Sequence, residues 1–198
     1  MKKGTLITIA VIAVIVLSLF GWGKSTYNGF VSQQENVEKA WGQVESDYQR
    51  RADLIPNLVN TVKGYAKHES ETLQAVINAR ANATQVKIDA SNLDEASIKK
   101  FQDAQGEIGS ALSRLIAVSE SYPDLKANQN FIELQSQLEG TENRINVSRK
   151  DFNEAAQAYN TAVRTFPGNI LAGMFGFDKK PYFEAQAGAD KAPTVNFD

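Results

Sequence analysis

Residues 4–23, Gly-Thr-Leu-Ile-Thr-Ile-Ala-Val-Ile-Ala-Val-Ile-Val-Leu-Ser-Leu-Phe-Gly-Trp-Gly, form an uncharged run of twenty, and nothing else in the 198-residue chain approaches it. At about 1.5 Å per residue a helix of that length spans the hydrocarbon core of a bilayer. Whatever the remaining residues build therefore has to begin where a membrane helix ends. The run competes with the apolar middle of a cleaved signal peptide, with Lys2 and Lys3 as its basic start and Gly21 and Gly23 as a weak cleavage site. It is longer than a typical signal core, and Trp22 with Lys24 is the amphipathic pair found where a permanent helix meets the headgroups. A retained anchor is expected. Lys2 and Lys3 precede the run, whereas only Lys24 follows it before Glu35, which keeps the N-terminus in the cytoplasm and sends the rest across the membrane. The absence of cysteine agrees, since an oxidising compartment penalises stray thiols.

The chain beyond the anchor is patterned for helices. Phe131, Leu138, Ile145, Phe152, Tyr159 and Phe166 recur every seven residues, and Leu134, Thr141, Ser148, Ala155 and Ala162 follow three positions later. Large residues on one seam and mostly small ones on the next let neighbouring helices interdigitate, and seven is the repeat of a left-handed bundle. Three looser stripes precede this one. Tyr27, Phe30, Val37, Trp41, Val44 and Tyr48 form the first, and Ile55, Leu58, Val59, Val62, Leu73, Val76 and Ile77 the second. The third is Ile98, Phe101, Ile108, Leu112, Leu115 and Val118. No window alternates in the manner of a strand. The expected fold class is all-α, an N-terminal transmembrane helix followed by an up-down bundle of long helices.

Asn92-Leu93-Asp94 and Tyr122-Pro123-Asp124 mark two breaks between helices. A third junction, Arg50-Arg51-Ala52-Asp53-Leu54-Ile55-Pro56, has two readings. One helix runs through with a kink, or the chain reverses and Asp53 caps a new helix with Pro56 in its first turn. Reversal gives four better-matched helices of roughly 25, 35, 30 and 40 residues and is the expectation. Past Phe166, Pro167-Gly168-Asn169 ends the last long helix, Met174-Phe175-Gly176-Phe177 follows as an aromatic knot, and Tyr182 and Phe183 are placed to pack on the bundle. The domains expected are thus residues 1–24, N-terminus and anchor; 25–184, helical bundle; and 185–198, a mobile tail rich in Ala, Gly, Asp and Pro.

Chemistry is hard to find. A single histidine, His68, and no cysteine leave out common zinc sites and cysteine nucleophiles. No glutamate stands three before His68 for a di-iron bundle, and there is no phosphate loop or nucleophile elbow. No catalytic residue, cofactor or metal is expected, and the chain reads as not an enzyme. With Lys2, Lys3 and Lys24 set aside, 18 basic side chains face 23 acidic ones, which is no footprint for nucleic acid. Glu69 falls on the apolar line Ile55, Val62, Val76 and Ala83. It is either a buried carboxylate paired with Arg50, Arg51, Lys67 or Arg80, or an exposed one on a drifting helix, and exposure is the expectation. Asn146, Asn153 and Asn160 lie one residue after successive core positions. They form either a polar groove for an extended partner or boundary amides bonding adjacent helices, the second being expected.

Arg50-Arg51-Ala52-Asp53-Leu54-Ile55-Pro56-Asn57-Leu58-Val59, then Val62-Lys63-Gly64-Tyr65 and His68-Glu69, closely resembles the signature of the LemA family. The resemblance covers nearly the whole chain, taking in Ala40-Trp41, Ala79-Arg80, Tyr122-Pro123-Asp124-Leu125-Lys126-Ala127-Asn128, Thr141-Glu142-Asn143-Arg144-Ile145 and Tyr182-Phe183-Glu184-Ala185. Phe152 stands where the family pattern leads one to expect tyrosine. What the resemblance implies is a single-pass protein of the bacterial inner membrane with a soluble, LemA-like four-helix bundle, and no active site. It implies protein partners in the envelope, membrane proteases or sensory systems among them, beside the lipid bilayer itself. The polar residues of the signature, Arg50, Arg51, Asp53, Asn57, Lys63, His68 and Glu69, gather around the expected first corner and make it the candidate interaction site. The expected function is a non-enzymatic scaffold or adaptor in envelope stress or membrane organisation. The alternative is a ligand-sensing extracytoplasmic bundle.

Overall fold

The computed structural model describes residues 3–184, and over these the chain is helical, with six α-helices and no strand. The tail at 185–198 lies outside the described residues. Helix α1 runs from Lys3 to Tyr65, α2 from Ser70 to Gln85, α3 from Glu95 to Ser119, α4 from Pro123 to Lys126, α5 from Gln129 to Arg164 and α6 from Gly168 to Phe175. A 3₁₀ turn, Ala90–Asn92, links α2 to α3. The breaks near Asn92 and Pro123 fall where the sequence places them. The starts of α3 and α5 are chemically marked: Asp94 accepts the Ser97 N–H at 2.7 Å, and Asn128 accepts that of Phe131 at 3.0 Å.

The expected reversal at Pro56 is overturned. α1 is one helix of 63 residues, roughly 95 Å long, and it continues through the proline without a break. Proline has no N–H to give the carbonyl four residues back, here Ala52, and an unpaired carbonyl facing the core is costly. Arg80 supplies the missing donor from α2, its Nε reaching the Ala52 oxygen at 2.7 Å. Beside it the small, buried Ala79 lets α2 come close to α1. Asp53, expected to cap a new helix, sits exposed in mid-helix and accepts from Gln49 Nε2 at 2.7 Å. The chain turns instead at residues 66–69, where Ala66 bonds back to Val62 and Glu69 to Ala66. The second apolar stripe is therefore two helices facing each other, Ile55–Val62 on α1 and Leu73–Val76 on α2, with Ile77 turned to solvent.

Cross-contacts give the directions. Trp41 meets Phe152, Arg51 meets Glu142, and Arg80 meets Ala52, so α5 and α2 both run antiparallel to α1 while α3 runs with it. The up-down order expected from the sequence holds, with α1 contributing both the long apolar N-terminal run and the first bundle helix. Two apolar clusters fill the interior. The one distal to the apolar N-terminal run holds Ile55, Leu58, Val62, Val76, Leu115, Leu125 and Phe131; the one proximal to it holds Val37, Trp41, Phe101, Ile145, Phe152, Tyr159 and Phe183. Between them lies a polar belt of buried Arg51, Gln105, Thr141 and Ser148.

The heptad of α5 is buried from Phe131 to Tyr159, but Phe166 is exposed because the helix has already ended at Arg164. The second seam drifts from Thr141 and Ser148 to Ala156 and Val163, as a 3.6-residue helix must against a 3.5 repeat. Nothing is buried on α1 before Phe30. Leu6 through Phe20 present their apolar side chains outward, and this stretch is long and apolar enough to cross a membrane.

Candidate interaction site, a groove between two helices

The seven polar residues of the signature are not brought together. Arg50, Asp53, Asn57 and Lys63 lie exposed along α1, and His68 is exposed in the turn after it. Glu69 is half-buried and meets none of the four cations weighed as its partners. It accepts the Tyr122 hydroxyl at 3.0 Å, which raises that phenol's pKa, chiefly through this hydrogen bond. With the reversal at residues 66–69 and not at Pro56, only His68 and Glu69 lie in the first corner, and Arg50, Arg51, Asp53, Asn57 and Lys63 lie on the helix before it. Only Arg51 turns inward.

Arg51 is 5% exposed. Its guanidinium donates to the Gln105 carbonyl at 3.0 Å and side-chain oxygen at 2.8 Å on α3, and to Glu142 Oε2 at 3.0 Å on α5. The Tyr48 ring lies 4.9 Å beneath it. Burial pushes the Tyr48 phenol up, while Arg149 and Arg51 pull it the other way. One α1 side chain thus ties together two helices that hardly touch each other: α1 packs along α5, and α2 along α3, but α3 and α5 stand apart. The gap is a half-open groove of about 1100 Å³ with Tyr48 and Arg51 as its floor.

The α3 wall has the small residues Gly106, Gly109, Ser110 and Ser113 at its middle, flanked by larger ones such as Gln102, Asp103 and Ile116; the α5 wall carries Gln135, Leu138, Glu139 and Glu142. A Cβ added at Gly106 or Gly109 would meet nothing within 4 Å, so neither glycine is there to let another helix approach. Glycine inside a helix costs about 1 kcal/mol relative to alanine. Gly106 and Gly109 in an otherwise strong helix were the one sequence signal for this wall, and periodicity alone passes over it.

The proximal half of the same gap is already filled by the chain itself. After α6 the backbone turns at Gly176, whose φ of 74° favours glycine, and residues 178–184 return extended along α5. Asn160 Nδ2 donates to the Lys180 carbonyl and its Oδ1 accepts the Lys180 N–H, both at 2.8 Å. Asn153 does the same to Phe183, at 3.0 and 2.8 Å. Each carboxamide imitates the edge of a strand. The spacing matches: seven helical residues and three extended ones both advance about 10 Å. Two of the three asparagines therefore hold an extended segment, as one reading of the sequence had it, but a segment of this chain and not of a partner. Phe183 stacks on Trp41 with centroids 5.9 Å apart, and Arg149 covers it at 5.1 Å. The strap reaches the groove at Glu184, whose carbonyl accepts from Gln102 Nε2 on α3 at 3.1 Å and from an Arg149 guanidinium nitrogen on α5 at 2.8 Å.

Comparison with known proteins places this architecture. A model of the LemA family matches residues 40–197. Magnetosome protein MamQ 2 of Paramagnetospirillum magneticum is 27% identical over 206 residues, covering 95% of this chain and 76% of its own. Magnetosome protein MamQ of Magnetospirillum gryphiswaldense is 28% identical, with 90% and 73% covered. Protein LemA of Metamycoplasma hominis is 22% identical, with 80% and 68% covered.

Proposed function

The chain belongs to the LemA family, and on that footing we propose that it is a membrane-anchored, non-enzymatic scaffold or adaptor of the bacterial envelope. It holds an extended segment of a partner protein in the groove between α3 and α5. The observation that carries this reading is the strap. The chain docks an extended peptide in the proximal half of that gap with two carboxamide clasps and one buried ring, and the distal half offers the same two walls with space between them. Arg51 is committed to three acceptors and so holds the walls in register.

The second part of the proposal is position. Residues 4–23 cross the inner membrane with the N-terminus inside, and α1 continues unbroken from them to the groove floor. Arg51 lies 27 residues beyond Lys24, so the groove stands roughly 40 Å above the bilayer surface when α1 is upright. Small-molecule sites usually enclose most of their ligand. A half-open trough suits a peptide better than a metabolite, which favours the adaptor over the ligand sensor.

A photo-crosslinking residue at Gly109 or Gln135, in native membranes, tests this. The expected result is a discrete adduct with another envelope protein, absent when the same residue replaces exposed Asn78 on α2. Adducts only to this chain, its own residues 185–198 included, would sink the partner reading.

A further inference from the structure

Helix α6 ends the bundle beside the first turns of α1 above the apolar run. A Cβ on Gly168 would lie 3.2 Å from Phe30 Cζ and 3.6 Å from Thr26 Cγ2, so α6 is in direct contact with that stretch. The rings of Phe175 and Phe177 stand edge-on to Tyr27 at 5.1 and 5.4 Å. Thr26 to Phe30 lie only two to six residues beyond Lys24, about 3–9 Å along the helix axis. The headgroup layer on each side of a bilayer is about 5–8 Å deep. If α1 crosses the membrane where its apolar run ends, α6 is at headgroup depth.

The inner side of α6, Gly168 and Ala172, is buried, and Leu171 packs on the proximal core. Its outer side is apolar as well. Ile170 and Met174, four apart on α6, are 55% and 72% exposed, Phe175 is 56% exposed, and Phe166, in the turn just before the helix, is 76% exposed. Exposed Arg164 and Lys179 bracket the stripe in the chain, the arrangement of cations around an apolar face at a lipid interface. A contiguous apolar face of this kind marks a contact surface, and its depth says which one.

We propose that Phe166 and α6 form a second membrane contact, their apolar stripe sunk into the lipid interface beside the anchor. The protein then stands on two points, and α6 fixes the tilt of α1 and with it the bearing of the groove. This rests on the reading that residues 4–23 span the bilayer, and the test separates the two.

Because the chain has no cysteine, single cysteines can be placed in the full-length protein as Leu19→Cys, Ile170→Cys and Ile77→Cys and labelled with an environment-sensitive nitrobenzoxadiazole dye. The protein is then reconstituted into vesicles of phosphatidylcholine and phosphatidylglycerol that carry lipids spin-labelled at the headgroup or along the acyl chain. The expected result is quenching of the Ile170 site by the shallow label, at least about twofold beyond the Ile77 site on α2, with Leu19 quenched by the deep label. Leu19 quenched while Ile170 behaves like Ile77 overturns the second contact and leaves the anchor standing. Neither quenched overturns the span and the proposal with it. Shielding of Ile170 that grows with protein density, without quenching by lipid, assigns the stripe to a second copy of the chain and also overturns the proposal.

Discussion

At the scale of single residues, Arg80 and Pro56 carry the largest lesson. A proline in mid-helix breaks a local rule, and the local rule alone points to a chain reversal. The compensating donor lies 28 residues beyond the Ala52 carbonyl it serves and acts across a helix pair, so nothing in the neighbourhood of Pro56 announces it. Ala79-Arg80 was legible as a motif but not as the partner of a missing hydrogen bond. The two side chains should therefore be coupled. Arg80→Ala is expected to cost about 1–2 kcal/mol in the natural sequence and far less in a Pro56→Ala background, where the backbone N–H returns to Ala52. Denaturant unfolding of the four variants measures this, and equal costs in both backgrounds would contradict it. Asp94 offers a pH signature. Bonding from the backbone and side chain of Ser97 lowers its pKa from 3.8. Its contribution is thus present above that value and lost as pH falls through the lowered one. Asp94→Asn keeps the cap without the charge, so wild type should lose its advantage over this variant in thermal unfolding as pH drops below about 4. A gap independent of pH would show that the carboxylate adds nothing.

Elements behave differently. The α5 heptad was legible from Phe131 to Tyr159 because burial repeats with the helix itself, and Phe152 at its centre has no exposed surface. Phe152→Ala should lower stability by about 3–5 kcal/mol, and an unchanged melting temperature would mean that the seam lies elsewhere. The strap was not legible. Asp178-Lys179-Lys180-Pro181-Tyr182-Phe183-Glu184 has no period, and its order comes from two asparagines on another element. Only the spacing of Asn153 and Asn160 hinted at it, and amides at that spacing equally suit contacts between helices. Asn160→Ala leaves a buried N–H and carbonyl of Lys180 without partners, a local loss of about 2–3 kcal/mol. It should speed amide hydrogen exchange across residues 178–184 while α5 keeps its protection. Unchanged exchange in the strap would mean that Phe183 alone holds it.

The whole molecule is organised by one continuous helix. The sequence divided anchor from bundle at residue 24, but α1 passes that boundary as it passes Pro56, and the groove, the strap and α6 are all referred to its axis. The candidate corner came apart for the same reason: of the residues expected to gather at a turn, all but His68 and Glu69 are strung along one continuous helix. What remained of it, Arg51, became the floor of a groove whose walls come from two helices far away in sequence. The scaffold role proposed for the chain depends on holding that groove at a fixed height, which requires α1 to be unbroken. The direct test is the distance between spin labels at Ser25→Cys and Lys63→Cys in the full-length protein in lipid, measured by pulsed electron–electron resonance. A continuous α1 predicts one narrow distribution centred at roughly 57 Å, the rise of the helix between the two labelled positions. A distribution centred at roughly 30 Å, as a reversal at Pro56 would give by folding the second label back beside the first helix, would contradict the account.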